Sequence, residues 1–230
     1  MDELSLIQKL AVWVMPVLLA ITVHEVAHGW MALRLGDRTA LMLGRLTLNP
    51  VKHIDPIGTV LLPALLLLIG GFIFGWAKPV PITWENLRHP KRDMALVALA
   101  GPSANLIMAV LWLLAVKLGI TIISTVPWLG QPLIYMGVAG IFINTILMVL
   151  NLLPLPPLDG GRIVAGLLPG PLSWQYNRIE PYGMLIILAL FFTKLLGKIM
   201  WPLMSGFFLV LFYFGQLPAG LFRSVLQTIM

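Results

Sequence analysis

Long apolar runs separated by short polar stretches follow one another along the whole chain. A transmembrane helix needs roughly 20 consecutive apolar residues, and five runs reach or approach that length. They cover residues 10–35, 94–118, 133–153, 182–196 and 199–214. The pattern predicts an all-α polytopic membrane protein, a bundle of about five to six transmembrane helices.

A sixth apolar run, 57–74, is ambiguous because it carries Pro63 near its start and Gly70-Gly71 near its end. If this run crossed the membrane, the fifteen basic residues would divide 8 to 7 between the two faces; if it dipped in and returned, they would divide 11 to 4. Cytoplasmic loops carry an excess of Lys and Arg. We therefore expect a short membrane-embedded re-entrant or β segment after the first helix, with the N-terminus outside and the C-terminus inside.

This topology divides the basic residues into two sets. The inner set comprises Arg34, Arg38, Arg45, Lys52, Lys78, Arg88, Lys91, Arg92, Arg162, Arg178 and Arg223. The outer set comprises Lys9, Lys117, Lys194 and Lys198. The net charge of +6 is then a signal of membrane orientation and not a sign of an acidic partner. We expect a multi-pass protein of a prokaryotic cell membrane.

The composition agrees with insertion into a lipid bilayer. Hydrophobic residues make up 59% of the chain and charged residues 10%, whereas a soluble domain has about 25% charged residues. These values exclude a soluble enzyme, a disordered tail and a nucleic-acid-binding domain. Because the chain has no cysteine, any metal must be held by His, Asp or Glu.

The first apolar run contains an H-E-x-x-H motif, formed by His24, Glu25 and His28. Residues i and i+4 share one face of a helix, so the two imidazoles can bind one metal ion. Glu25 is offset by one position, beside the metal, where it can take a proton from water. A charge at the membrane centre costs roughly 2.5–3.5 kcal/mol, so this cluster would be a liability without a compensating ion.

A catalytic zinc site usually has three protein ligands and one open position. Most acids lie in polar loops, but Asp159 follows the helix predicted to end at Leu153, and Gly160 and Gly161 allow a close backbone approach. In the predicted topology this segment and the end of the first helix both reach the inner side. Asp159 is therefore the best third ligand, with a helix cap or turn residue as the alternative, because Asp-Gly is a common turn pair.

Together these residues resemble the site-2 protease family of intramembrane zinc metalloproteases, in its compact prokaryotic branch without PDZ or CBS domains. The stretch 151–160, N-x-x-P-x-x-x-x-D-G, is similar to the second signature of the family, and GPSAN at 101–105 is similar to its G-P-x-x-N motif. LTLNPVKHIDPIGT and GWAKPVP also look like this branch. The resemblance covers roughly residues 15–165. It implies one membrane-embedded protease domain over 1–230, with a catalytic core of about 10–165 and accessory C-terminal helices over 182–230.

The resemblance also implies roles for single residues. His24, His28 and Asp159 would bind one zinc ion per chain, and Glu25 would be the catalytic base. Asn151 would lie near the bound substrate, and Asn105 would be a second candidate for this role. The implied reaction is hydrolysis of a peptide bond within or near a transmembrane segment of a membrane-protein substrate, as in regulated intramembrane proteolysis. The β-structure of the family would correspond to 39–56 or 76–81, either of which can pair with an unwound substrate strand.

Two questions stay open on the sequence alone. His53 can line the site or cap a loop turn with Asp55. Three rival functions also exist: a metal transporter, an inactive scaffold, and a membrane-embedded peptidase that cuts soluble or prenylated substrates. A transporter needs polar sites repeated along several helices, whereas this sequence has one cluster with a complete set of ligands and a base, which favours the intramembrane protease.

Overall fold

The computed structural model describes residues 4–61, 65 and 77–230, and all regular secondary structure in these ranges is helical. The α-helices in this part of the chain are α1 Leu6–Arg34, α2 Thr39–Met42, α3 Pro90–Ile122, α4 Pro127–Asn151, α5 Asp159–Leu167, α6 Gly170–Asn177, α7 Glu180–Phe192, α8 Leu195–Gly215 and α9 Ala219–Ile229. The 3₁₀ segments Pro50–His53 and Trp84–Asn86 and the π-helical segment Pro56–Leu61 lie between α2 and α3. The predicted all-α membrane fold is confirmed.

Four helices in the described ranges, α1, α3, α4 and α8, are long and apolar enough to cross a membrane. They match four of the five predicted runs and make the chain a multi-pass membrane protein. The remaining run, 182–196, contains the 13-residue helix α7, whose length of about 20 Å is less than the 30 Å thickness of a hydrocarbon core. The helix stops because Lys194 adopts a left-handed conformation with φ 60°. Most of the predicted re-entrant run, 57–74, lies outside the described residues.

Glycines bring α3 and α4 into close contact along their length. A Cβ atom at Gly137 would lie 3.0 Å from the carbonyl oxygen of Trp112, and one at Gly140 would overlap the Trp112 indole. Small residues at such positions allow membrane helices to pack backbone to backbone. The pairing sets Asn105 of α3 opposite Asn144 of α4, where the Asn105 Nδ2 donates a hydrogen bond to the Asn144 Oδ1 at 2.9 Å.

The first half of α1 and the end of α9 lie at the same end of the bundle. Trp13 in the first half of α1 donates a hydrogen bond from Nε1 to the carbonyl oxygen of Ile229 at 3.1 Å. Gly215, at the end of α8, lies against Leu113 of α3. Leu113 is about 12 Å from Asn105 in the direction of the C-terminal end of α3. The expectation of an external N-terminus and an internal C-terminus does not agree with these contacts, because α7 is too short to supply one of the crossings it required.

No β-strand occurs in residues 39–56 or 77–81, where the sequence predicted membrane-embedded β-structure. The first stretch contains α2 and a 3₁₀ turn instead. We call residues 77–83 the strap; it has no regular secondary structure, and none of the described residues forms a strand beside it. Its backbone pairs elsewhere: the Lys78 N–H donates to the His53 carbonyl oxygen at 2.9 Å, and Arg45 donates to the Lys78 carbonyl oxygen at 3.1 Å.

Asp37, just after α1, anchors the far end of the strap. Its carboxylate is 1% exposed and accepts hydrogen bonds from the Thr39 backbone and hydroxyl, from the Thr83 backbone at 2.9 Å and from Asn86 at 3.1 Å. Burial raises the pKa of Asp37, but these hydrogen bonds outweigh it and hold the pKa below the ordinary value of 3.8. The ionised carboxylate therefore stabilises the fold.

We expect Asp37→Asn to lower the free energy of unfolding by about 1.5–3 kcal/mol at neutral pH, since a buried charged acceptor is lost. Because folding lowers the pKa, the wild type has the full contribution above pH 3.8 and loses it as the pH falls through the folded pKa. Thermal unfolding in detergent at several pH values checks this. The exposed Glu180→Gln variant is the control, and equal melting of Asp37→Asn and wild type at neutral pH would contradict the role of Asp37.

Candidate metal centre

Two imidazoles and a carboxylate meet between α1 and α5. The Nε2 atoms of His24 and His28 are 3.0 Å apart and lie 3.3 and 3.2 Å from the Oδ2 atom of Asp159. Each of the three residues is 7% exposed. The three residues singled out in the sequence therefore come together in the fold and could hold a metal ion.

The segment before α5 carries Asp159 to α1. Gly160 and Gly161 lie so close to the backbone of Leu152, Leu153 and Pro156 that a Cβ atom at either glycine would overlap it. Only glycine permits this tight return of the chain. Asp159 is the first residue of α5, yet its carboxylate faces the imidazoles, which favours the ligand role over a helix cap.

Hydrogen bonds on the other ring nitrogens orient both imidazoles. The His28 Nδ1 lies 2.7 Å from the carbonyl oxygen of Val97, and because a carbonyl only accepts, Nδ1 carries the proton. The His24 Nδ1 lies 2.6 Å from Oδ1 of Asn105, whose Nδ2 is already engaged with Asn144. In the neutral form of each ring the Nε2 is therefore unprotonated, with its lone pair toward the same point.

The acceptor atoms that meet at this centre are suited to a zinc ion. Two lone pairs and a carboxylate oxygen face one another, and the Asp159 Oδ2 is buried without a hydrogen-bond partner. Three acceptors at this distance repel one another unless a cation lies among them. Two imidazole nitrogens and one carboxylate oxygen are a common ligand set of catalytic zinc, so the residues fit the ion.

Gly101 of α3 provides the space that the imidazoles occupy. A Cβ atom there would lie 2.6 Å from the His24 Cε1 and would overlap the His28 ring. Gly101 and Asn105 are four residues apart and so share one face of α3. Both residues belong to the G-P-x-x-N motif, but no local pattern in the sequence indicates that Gly101 makes room for the imidazoles and that Asn105 orients His24.

A cavity of about 170 Å³ adjoins the centre. Its lining combines the candidate ligands and base with the strap, α3 and α5: His24, Glu25, His28, Pro79, Val80, Ile82, Trp84, Val97, Ala98, Asn151, Pro157, Asp159 and Arg162. The Glu25 Oε2 accepts a hydrogen bond from the Val80 N–H at 2.8 Å. Glu25 therefore lies in the same cavity as the candidate ligands and is tied to the strap.

The other predicted site residues divide between the cavity and the surrounding structure. Asn151 lines the cavity and donates to the Leu147 carbonyl oxygen at 2.9 Å. Asn105 is 0% exposed and is separated from the cavity by His24, which it orients. His53 is 2% exposed and its Nε2 is 2.9 Å from the Thr47 carbonyl oxygen, which supports the loop interpretation.

Arg162 and Trp84, which are not among the site residues predicted from the sequence, also line the cavity. The Arg162 guanidinium carbon lies 5.1 Å from the centre of the Trp84 ring. The spacing of three residues between Asp159 and Arg162 was the available signal, because residues i and i+3 share one helix face.

Comparisons with known proteins agree with this geometry. The model of the family described as "Peptidase family M50" matches residues 121–193 of this chain. The chain is 38% identical over 201 residues to "Putative zinc metalloprotease YwhC" of Bacillus subtilis, covering 84% of this chain and 85% of that protein. It is 33% identical over 193 residues to "Putative zinc metalloprotease Rip2" of Mycolicibacterium smegmatis, covering 83% of this chain and 70% of that protein. No solved structure matches the chain.

Proposed function

Because the chain belongs to peptidase family M50, the site-2 protease family of zinc metalloproteases, we propose that it hydrolyses a peptide bond within or near a transmembrane segment of a membrane-protein substrate. The observation that carries this proposal is the meeting of His24, His28 and Asp159 beside the cavity that also contains Glu25. The two His residues and Glu25 belong to α1, a helix long enough to span the membrane.

In the proposed reaction His24, His28 and Asp159 would hold zinc, which would supply a Lewis acid for the scissile carbonyl and lower the pKa of water. Glu25 accepts the proton of the attacking water and then delivers it to the leaving amine. The Val80 N–H holds the Oε2 of Glu25 at 2.8 Å, which fixes the carboxylate in the cavity. The hydrogen bonds to Val97 and Asn105 keep the imidazoles in the tautomer that binds a metal.

The substrate must unwind before it is cut, since a helix satisfies its own backbone hydrogen bonds. Asn151 lines the cavity, and its side-chain amide has donor and acceptor atoms for an unwound backbone. The strap runs along the same cavity through Pro79, Val80 and Ile82. We infer that the substrate lies between the strap and Asn151.

We infer that the N-terminus lies outside and the site toward the cytoplasm, and the contacts at the ends of the helices indicate which ends share a side. The Arg88 N–H donates to the Leu35 carbonyl oxygen at 3.0 Å, so α1 ends where α3 begins. The ends of the stretch 53–78 also meet, through the hydrogen bond between Lys78 and His53. Leu35 therefore lies on the same side as Arg88, and His53 on the same side as Lys78.

The basic residues divide more unevenly in this arrangement than in the sequence-based one. Lys194 and Lys198 lie near the start of α8, at the opposite end from Gly215, and so join the inner set, while Arg223 of α9 joins the outer set. Twelve basic residues then lie inside and three outside. This distribution fits the excess of Lys and Arg in cytoplasmic loops.

We therefore expect a reporter fused after Met230 to be external and one inserted at the exposed Glu85 to be cytoplasmic. A pair of reporters, one active only outside and one only in the cytoplasm, measures both positions. A cytoplasmic signal after Met230 or an external signal at Glu85 would contradict the topology.

Metal removal tests the function directly. In liposomes that contain the protein and a model single-span substrate, a zinc chelator should abolish cleavage and added zinc should restore it. Mass spectrometry of the products should place the cut within or near the transmembrane segment. Cleavage that persists in chelator, or a cut only in a soluble loop far from the membrane, would overturn the proposal.

A further inference from the structure

Among the described residues that line the cavity, Arg162 is the one basic side chain apart from the candidate histidine ligands. It lies three residues after Asp159 on α5, so both side chains project from the same face of that helix. It is partly buried, and its guanidinium rests on the Trp84 ring, with 5.1 Å between the guanidinium carbon and the ring centre. The stem of Arg162 is thus held while its charged end borders the cavity.

The guanidinium has no acidic partner in the described part of the chain. The close contacts between nitrogens of basic side chains and carboxylate oxygens found there join only His24 and His28 to Asp159. Of the two carboxylates in the cavity, Asp159 faces the imidazoles and Glu25 accepts from the Val80 N–H. With zinc bound, the ion would balance these two carboxylates, and the charge of Arg162 would remain uncompensated.

The strap offers few hydrogen-bond donors to the cavity. Pro79 has no N–H and the Val80 N–H is used by Glu25, which leaves the backbone N–H of Ile82 among the strap residues that line the cavity. Arg162 has five N–H donors in a planar fork. It therefore offers more N–H donors than any other side chain among the described residues that line the cavity.

A guanidinium with unused donors in a partly water-excluded site pairs best with a carboxylate, which it binds through two parallel hydrogen bonds. We propose that Arg162 binds a carboxylate of the substrate close to the bond that is cut, and so acts as a specificity-determining residue. The carboxylate comes either from an Asp or Glu side chain or from a free chain end. This inference rests on the proposed function, because it assumes that a peptide occupies the cavity.

Binding can be measured without cleavage in a Glu25→Gln background. The probes are fluorescent single-span peptides in nanodiscs, with one Asp or its Asn counterpart at successive positions. A second series ends at those positions as a free carboxylate or as an amide. We expect one acidic position or one free end to bind about tenfold more tightly than its neutral counterpart, and the series in which this occurs identifies the source of the carboxylate.

Arg162→Ala should remove this preference while zinc content stays unchanged, and Arg162→Glu should favour a Lys peptide instead. Arg178→Ala is the matched control, because Arg178 also rests on a tryptophan, Trp174, at 5.2 Å but lies outside the cavity lining. An unchanged preference in Arg162→Ala, or no preference in either series, would overturn the role of Arg162 alone. Failure of every peptide to bind would overturn the proposed function together with this inference.

Discussion

Replacing Glu25 with Gln is expected to reduce peptide-bond cleavage by about 100- to 10,000-fold, the usual contribution of a general base. The amide keeps the size of the carboxylate and can still accept from the Val80 N–H, but it cannot take a proton from water. The zinc ligands are untouched, so zinc should remain at one ion per chain. Cleavage rates of a single-span substrate and elemental analysis of the purified variant measure both quantities.

Glu85→Gln is the matched control for this change. Glu85 follows the strap by two residues and is exposed, but it does not line the cavity. The Glu85→Gln variant should therefore cleave the substrate at the wild-type rate. Unchanged cleavage in Glu25→Gln would remove Glu25 from the mechanism, whereas loss of zinc in that variant would show that Glu25 acts on the metal site itself.

Gly101→Ala should empty the metal centre although Gly101 binds no metal. The added methyl group would lie 2.6 Å from the His24 Cε1 and would overlap the His28 ring. The imidazoles cannot give way without breaking their hydrogen bonds to Asn105 and Val97. We expect zinc affinity and cleavage to fall at least about 10- to 100-fold, the effect typical of residues that orient zinc ligands.

Gly206→Ala provides the comparison, because Gly206 lies within α8 and a Cβ atom there meets nothing within 4 Å. Alanine favours a helix over glycine by about 1 kcal/mol, so this variant should bind zinc normally and melt at the same temperature or higher. Competition with a fluorescent zinc chelator measures the affinities. Normal zinc binding by Gly101→Ala would show that the rings are less confined than the structure indicates.

The sequence predicted the parts of the site that depend on local spacing. The positions of His24, Glu25 and His28 follow from one helical turn. Asp159 could be found because the chain must reverse sharply after Leu153, and the glycines that follow permit it. The long spans were predictable for a similar reason, since apolar length alone decides whether a helix can cross a membrane.

Contacts between distant segments were beyond the sequence pattern. The Val80 N–H meets Glu25 across 55 residues, and no local signal marks that pairing. Asn105 was expected near the substrate, but helix packing turns it toward His24. The end of α7 was missed because the run 182–196 is apolar throughout most of its length, and its interruption depends on the backbone conformation of Lys194.

The wide separation of Asp159 from the H-E-x-x-H motif has a consequence for biosynthesis. About 130 residues lie between His28 and Asp159, which a ribosome adds in roughly 7–26 seconds at 5–20 residues per second. During that interval α1 can enter the bilayer with two imidazoles and a carboxylate but without its third zinc ligand. Val80 is translated well before Asp159, so its N–H can engage Glu25 while the nascent chain still lacks a complete zinc site.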